Sequence, residues 1–311
     1  SFSFRPEGGY RLWLQILVTN MGLANGRTAV LAHFTTPDGK KFRKKQSWSR
    51  EEWSSELSDG KLAIKLGEKN SFSGDGNKWS IKFDNEDFSL DCRIDNLVPM
   101  LRPGGGATYF GKGKSRYYDM TFIVPRGKFK ASVTMKGSGK RHKFSGYAFA
   151  DNSLSNLSPN LMVKSWIRLR DIGPTRTVVL TTFKTPVQYG ERWSGFFYVA
   201  DDRELVSGTN PGVRIIKERK DELSGYRVPE VIMFDGIAGI SDFMGVIEAK
   251  KLKERQDSLA ALTTVERAIV SKIVQPFDFV YEADWEFEYG HDGKKARPKG
   301  SGRYSYEQMT R

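Results

Sequence analysis

The chain alternates apolar and polar positions over short stretches, the period of a strand with one face buried. Tyr10-Arg11-Leu12-Trp13-Leu14-Gln15-Ile16-Leu17-Val18 opens the series and stops at Asn20-Met21-Gly22. Thr28 to Thr35 is a second predicted strand, closed by the turn Pro37-Asp38-Gly39. Others are predicted at Leu62 to Leu66, Trp79 to Phe83, Phe88 to Ile94, Tyr117 to Val124, Lys128 to Met135 and Lys143 to Phe149. Turn formers such as Asp75-Gly76 and Pro125-Arg126-Gly127 separate several of them. Many short strands with close turns predict an all-β, antiparallel barrel or sandwich. Two short helices are also predicted. Ser49-Arg50-Glu51-Glu52 and Thr263-Thr264-Val265-Glu266 both match the capping box, in which a hydroxyl and a Glu satisfy the first free N–H groups. The second leads into the run Arg267 to Val274.

An internal repeat sets the domain organisation. Residues 27–37 and 176–186 share Arg27/Arg176, Thr28/Thr177, Val30/Val179, Leu31/Leu180, Phe34/Phe183, Thr36/Thr185 and Pro37/Pro186 without a gap. Each half also closes alike, with Ser145-Gly146-Tyr147-Ala148-Phe149-Ala150-Asp151 in the first and Ser301-Gly302-Arg303-Tyr304-Ser305-Tyr306-Glu307 in the second. A duplicated β-domain follows, 1–155 and 156–311, with a linker-like run at 152–159. The length of 311 residues suits two domains of roughly 150.

Composition narrows the chemistry. Aromatic residues make up 13% of the chain, too many for a disordered tail. No apolar run approaches the ~20 residues of a membrane-spanning helix. The lone Cys92 excludes an intrachain disulfide framework and reads as a buried structural thiol. His33, His142 and His291 lack metal-ligand spacing, so no metal and no cofactor is expected. Low cysteine use fits the cytoplasm or the bacterial periplasm alike. The chain opens on Ser1 rather than methionine, as after removal of a leader or trimming.

Catalytic signatures are missing. There is no G-x-S-x-G elbow and no H-E-x-x-H pair. Gly106 to Lys112 approaches a phosphate loop, but Gly113 stands where a Ser or Thr would hold Mg²⁺, so a flexible Gly-rich loop is expected. Among many carboxylates, Asp151 stands out because it follows an apolar strand and closes the first half.

Lys and Arg number 50 against 37 Asp and Glu, a net charge of +13. The basic residues cluster at 40–45, 136–143, 250–255 and 294–299, mostly at turns, where they are solvated. An anionic membrane surface or anionic ligand is the alternative. No helix-turn-helix, zinc finger or RNP-like motif accompanies the charge, so nucleic acid is not expected as a partner. The aromatics fall within strand patterns and serve either a packed core or an apolar ligand cavity, since small β-barrels do either.

Two β-rich halves with these closures resemble the AttH-like and carotenoid hydratase-like group of lipocalin-like proteins, which includes fungal survival-factor proteins and some decalin-forming pericyclases. The resemblance spans nearly the whole chain. It rests on Gly9 to Gln15, on Pro125-Arg126-Gly127 before a strand ending in Ser145 to Phe149, and on Gly302 to Glu307. It implies two calycin-type β-domains side by side and apolar or isoprenoid-like ligands. Many members end the first domain in Gly-x-Gly-Tyr-x-Asp-His-x-Trp-Gly. Here Gly146 and Asp151 match, while Ala148, Phe149, Asn152 and Leu154 replace the second Gly, the Tyr, the His and the Trp.

The resulting expectation is a tandem lipocalin-like protein that binds an apolar or amphipathic small molecule, a lipid or isoprenoid. Trp13, Phe34, Trp166, Phe183, Phe197 and Trp285 are its expected lining, and Arg27 and Arg176 its polar contacts. The rival is an enzyme of the same shape, a hydratase, cyclase or isomerase, with Asp151 as its acid.

Overall fold

The computed structural model describes residues 1–19, 25–238, 241–257, 259, 275–291 and 294–309. Alternation translates into strands as predicted. Arg27–Thr35 buries Thr28, Val30, Ala32 and Phe34 and turns the residues between them outward. Two curled antiparallel sheets result, so the all-β, two-sheet architecture is the one observed.

Among the described residues the first sheet has twelve strands, one of them the short Thr108–Tyr109 lying off the path beside Tyr117–Met135. Its path runs from Lys41–Trp48 through Arg27–Thr35, Arg11–Thr19 and Phe2–Pro6 to Arg141–Ser155 and Tyr117–Met135. It continues through Phe88–Asn96, Lys78–Asp84, Asn70–Gly74 and Lys61–Leu66 to Trp53–Ser58. The second has ten among the described residues, one of them the short Lys294–Ala296 lying off the path beside Phe277–His291. Leu205–Thr209, Trp193–Ala200, Thr177–Lys184 and Ser165–Ile172 lead to Lys299–Gln308, then Phe277–His291, Ser241–Asp257, Arg227–Ala238 and Gly212–Lys220. Gly208 meets Ala238, bringing this sheet back on itself. Both sheets thus seat their last long strand beside their first.

That shared topology re-reads the sequence repeat. Arg27–Thr35 lies two strands from Phe2–Pro6, whereas Thr177–Lys184 adjoins Ser165–Ile172. The matched segments therefore occupy non-equivalent strands, and their likeness reflects common strand chemistry. The closures are equivalent: Gly146 lies opposite Pro6, and Arg303 opposite Arg170, each against the first strand of its sheet.

Two further expectations change, and a third is not tested. Pro125-Arg126-Gly127 is not a turn; it lies within the single strand Tyr117–Met135, at register shifts between Phe122, Val124 and Gly127. A bulge tolerates a proline because the ladder is already interrupted there. Ser49 to Glu52 makes one 3₁₀ turn rather than a helix, with the Glu52 carboxylate accepting from the Ser49 N–H at 2.8 Å. The helix expected after Thr263 lies outside the described residues. Among the described residues no helix is long and apolar enough to cross a membrane.

Aromatic rings pack both interiors. Phe34, Phe72, Phe83, Phe88 and Phe129 fill the first. Phe197, Phe234, Phe243, Phe287 and Tyr304 fill the second, with Phe197 and Phe243 stacked at 4.6 Å. A third cluster, with Phe122, Phe149, Trp166, Phe183 and Tyr198, seals the seam between the sheets. Cys92 is buried and free, and burial pushes its thiol pKa up.

Candidate functional site

Four adjacent strands of the second sheet set their side chains in lateral rows. Met233 stands opposite Val246, Val246 opposite Glu286, and Glu286 opposite Lys299. On one side lie Asp235, Met244 and Glu288; on the other, Val231, Glu248, Asp284 and Ser301. Strand alternation sends their neighbours Phe234, Phe243, Ile247, Trp285 and Phe287 into the core and leaves these rows facing outward. Register shifts around Lys251 and Glu254 interrupt the ladder, and such bulges bend a strand. The outward rows line an open groove of about 700 Å³. Met244 is 54% exposed and Val246 37%, so the groove has an apolar floor in contact with water.

Its rim is charged. Glu248 and Asp284 share Lys250 at 2.7 and 3.6 Å. Glu288 takes Lys295 at 2.7 Å and Arg297 at 2.8 Å, and the Lys295 hydrogen bond holds its carboxyl below the usual range. Beneath the floor, Trp285 Nε1 donates to Asp171 Oδ2 at 3.2 Å, while Arg5 of the first sheet donates to Oδ1 at 3.0 Å. Burial raises the Asp171 pKa, with Arg5 and Trp285 pulling the other way. Gly300 makes this packing possible, since a Cβ there would sit 2.7 Å from the Trp285 ring and 2.9 Å from Asp171 Oδ2.

The seam between the sheets gathers other expected residues. Trp166 and Phe183 pack at 4.9 Å within it. Asp151 receives Arg170 at 2.8 Å, the Ser1 hydroxyl at 2.6 Å and the Ser1 amino group at 3.0 Å. Burial opposes its ionisation, but the Ser1 amino group and Arg170 outweigh burial and hold the carboxyl well below the usual range. Asp151 is thus a paired anion at neutral pH. Trp13 stands on the outer face of the first sheet, 5.0 Å from the His33 ring. Phe34 lies in the first interior and Phe197 in the second. Arg27 begins a strand and is exposed; Arg176 precedes Thr177 in a turn of the other half. Neither makes an ion pair among the described residues, and the two do not meet.

Of the expected lining residues, polar contacts and candidate acid, Trp285 alone lines the groove, together with Lys299 of the basic cluster at 294–299. Met233, Met244, Val246 and Glu248 escaped notice. Their alternation with Phe234, Phe243 and Ile247 marks them as outward-facing, but their convergence depends on the register of four strands.

Residues 2–309 match the Svf1 family. Two curated relatives bear the name Ceramide-binding protein SVF1. The one from Eremothecium gossypii is 26% identical over 213 residues, covering 63% of this chain and 55% of that protein. The one from Kluyveromyces lactis is 26% identical over 230 residues, covering 65% and 56%. The chain therefore spans about half the length of the curated relatives it matches. Among solved structures, kievitone hydratase from Nectria haematococca superposes with a TM-score of 0.55 at 14% identity, covering 99% of this chain and 87% of that one. CghA gives 0.61 at 8% identity, covering 99% and 86%. At these identities the likeness speaks for the fold alone. The match over residues 2–309 settles the family: the chain belongs to the Svf1 family.

Proposed function

We propose that the chain binds a neutral amphipathic lipid of the ceramide class in the groove on the outer face of its second sheet. Family membership brings the ligand class, through relatives named for ceramide binding. The groove carries the reading: Met233, Met244 and Val246 form a connected apolar floor beside carboxylates that can accept hydrogen bonds. Its volume, about 700 Å³, falls within the range of small-molecule sites. Apolar surface buried there would contribute about 25 cal/mol per Å². Methionine suits a flexible acyl chain, because its unbranched side chain adapts to irregular shapes. Glu248, Asp284 and Glu286 would accept from the hydroxyl and amide N–H groups of the head. In this reading 1–155 and 156–311 are two domains, and Trp285 supports the floor. The basic clusters, Lys41 and Lys45 among their exposed members, would hold the chain at an anionic membrane surface while lipid enters.

The test is transfer of a fluorescent short-chain ceramide from phosphatidylcholine vesicles to the purified full chain. The native chain should take up ceramide. Met244→Asp, on an exposed position, should keep the native circular dichroism spectrum and lose uptake about ten-fold. Uptake undiminished in that variant would sink the groove assignment.

A further inference from the structure

The Gly-rich run noted in the sequence takes no part in the groove. It closes a short hairpin beside Tyr117–Met135. Thr108 lies opposite Tyr118 and Tyr109 opposite Tyr117, and the Phe110 N–H donates to Arg116 O at 2.9 Å. Between them Gly111 and Gly113 turn the chain at φ of 78° and 86°, the left-handed region that glycine enters freely. Two anchors fix the hairpin. Asn156 accepts from the Tyr117 N–H at 3.0 Å and donates to Ser115 O at 2.6 Å. On the other side Phe110 packs on Tyr189 at 5.3 Å, and Arg116 donates to the Tyr189 hydroxyl at 3.1 Å.

These anchors gather apolar side chains that the cores leave out. Val187 begins the 3₁₀ turn Val187–Tyr189 and is 73% exposed. Leu154 stands opposite Asp119, two residues along the strand from Tyr117 and on the same outward face. Leu161 follows in the helical turn Pro159–Met162. Tyr109, Leu154 and Leu161 are each about half exposed. Charge on this surface has one sign. Asp119 is taken by Arg102, and Glu191 by Lys164 at 2.5 Å and Lys184 at 3.8 Å. Lys112, Lys114 and Arg116 are exposed and make no ion pair among the described residues. Lys114 lies over the Tyr109 ring at 5.8 Å.

We propose that the 110–116 hairpin, with Val187, Leu154 and Leu161 beside it, inserts shallowly into an anionic lipid bilayer. Exposed apolar groups interleaved with unpaired cations fit that partner: the acyl region takes the aliphatic side chains, tyrosine sits at the level of the headgroups, and each lysine is drawn to the negative surface. A second copy in a two-fold contact would set the same cations against one another. A nucleic acid offers the aliphatic groups no apolar region. The inference rests on the membrane attachment proposed above and not on the ceramide assignment, and it names the surface that penetrates. Lys41–Trp48 exposes Lys41, Arg43, Lys45 and Ser47, charge without apolar groups, so that strand can attract a bilayer and has nothing to insert. The groove stays open, because it lies at Lys299 to Ser301. The hairpin adjoins the other end of that strand, where Gln308 pairs with Ser165 beside Lys184.

The experiment is flotation of the full chain with vesicles of phosphatidylcholine and phosphatidylserine at about 7:3, and with vesicles of phosphatidylcholine alone. The native chain should float with the anionic vesicles and much less with the neutral ones. Lys112→Gln/Lys114→Gln should weaken anionic binding about ten-fold or more. Insertion is read from Val187→Trp, whose emission should shift to the blue and be quenched by phosphatidylcholine brominated on its acyl chains. Leu57→Trp, at an equally exposed position on the edge strand Trp53–Ser58, should show neither change. All four positions are exposed, so each variant should keep the native circular dichroism spectrum. The proposal is overturned if the native chain ignores both vesicles, if Lys112→Gln/Lys114→Gln floats as the native chain does, or if Val187→Trp is quenched no more than Leu57→Trp. Flotation alongside either of the last two results would leave attachment through the other basic clusters standing and remove this surface. Self-association in place of flotation, abolished by Val187→Asp, would assign the surface to a second copy and overturn the proposal as well. Ceramide uptake from phosphatidylcholine vesicles, measured separately, reports on the groove.

Discussion

Asp278 carries a carboxyl pushed up to about 6, first by burial and next by Glu307, with Arg168 and Arg303 opposing and Glu254 adding to the rise. Its Oδ1 is buried without a hydrogen-bond partner. The folded pKa lies above the unfolded one, so folding favours the protonated form. That contribution is fully present below the unfolded value near pH 4 and is lost as pH rises through about 6. Asp278→Asn is neutral at every pH and avoids the cost of an ionised, half-buried carboxylate. It should stabilise the chain at pH 8 by on the order of 2 kcal/mol and by little at pH 4. Thermal denaturation at the two pH values checks this, and the same shift at both would contradict it. Gly300 poses a steric question instead. A methyl group there must displace Trp285 from Asp171. Gly300→Ala should cost about 1–3 kcal/mol in urea denaturation and shift the tryptophan emission; unchanged emission and stability would show that the floor can yield.

At the level of elements, alternation carried the sequence reading a long way. Arg27–Thr35 and Phe88–Asn96 could be read directly, since one face of each is polar and the other enters a core. The double closure at Gly146 and Gly302 was legible too, because close backbone approach admits only glycine: an added Cβ would lie 2.2 Å from Arg5 O at the first and 2.8 Å from Arg170 O at the second. The Pro-Arg-Gly run misled, because turns and bulges draw on the same residues. What distinguishes them is the partner strand. A Cβ on Gly127 would lie 2.7 Å from Ile94 and 2.8 Å from Val124, and the neighbouring Pro125 carbonyl accepts from Tyr198 at 2.8 Å. Gly127→Ala should therefore destabilise the first sheet by about 1–3 kcal/mol, as overpacking does. A neutral result in equilibrium denaturation would mean that the bulge can relax. The groove was illegible for a related reason. Met233, Val246, Glu286 and Lys299 are adjacent only through three strand registers, and no local pattern encodes those.

For the whole molecule the question is what makes two sheets one body. Apolar packing at the seam supplies cohesion without direction. Arg126 supplies direction. It rises from the bulge of the first half, is fully buried, and donates to Gly173 O at 2.9 Å and Pro174 O at 2.8 Å in a turn of the second half. It also pairs with Asp202 at 2.7 Å and lies over the Tyr147 ring at 4.4 Å. Asp202 is partly open to water, so losing its partner costs that carboxylate little. The two carbonyls are different: without the guanidinium they keep their acceptor character and lose their donors. Arg126→Ala should thus cost about 3 kcal/mol, less than the removal of one partner from a fully buried pair at the top of its range. It should also loosen the halves before either unfolds, which exposes the segment at 156–164 that joins them. Limited proteolysis should cut there several-fold faster in Arg126→Ala, with Arg126→Lys between it and the native chain. Native-like proteolysis in Arg126→Ala would mean that the aromatic seam alone fixes the orientation of the halves.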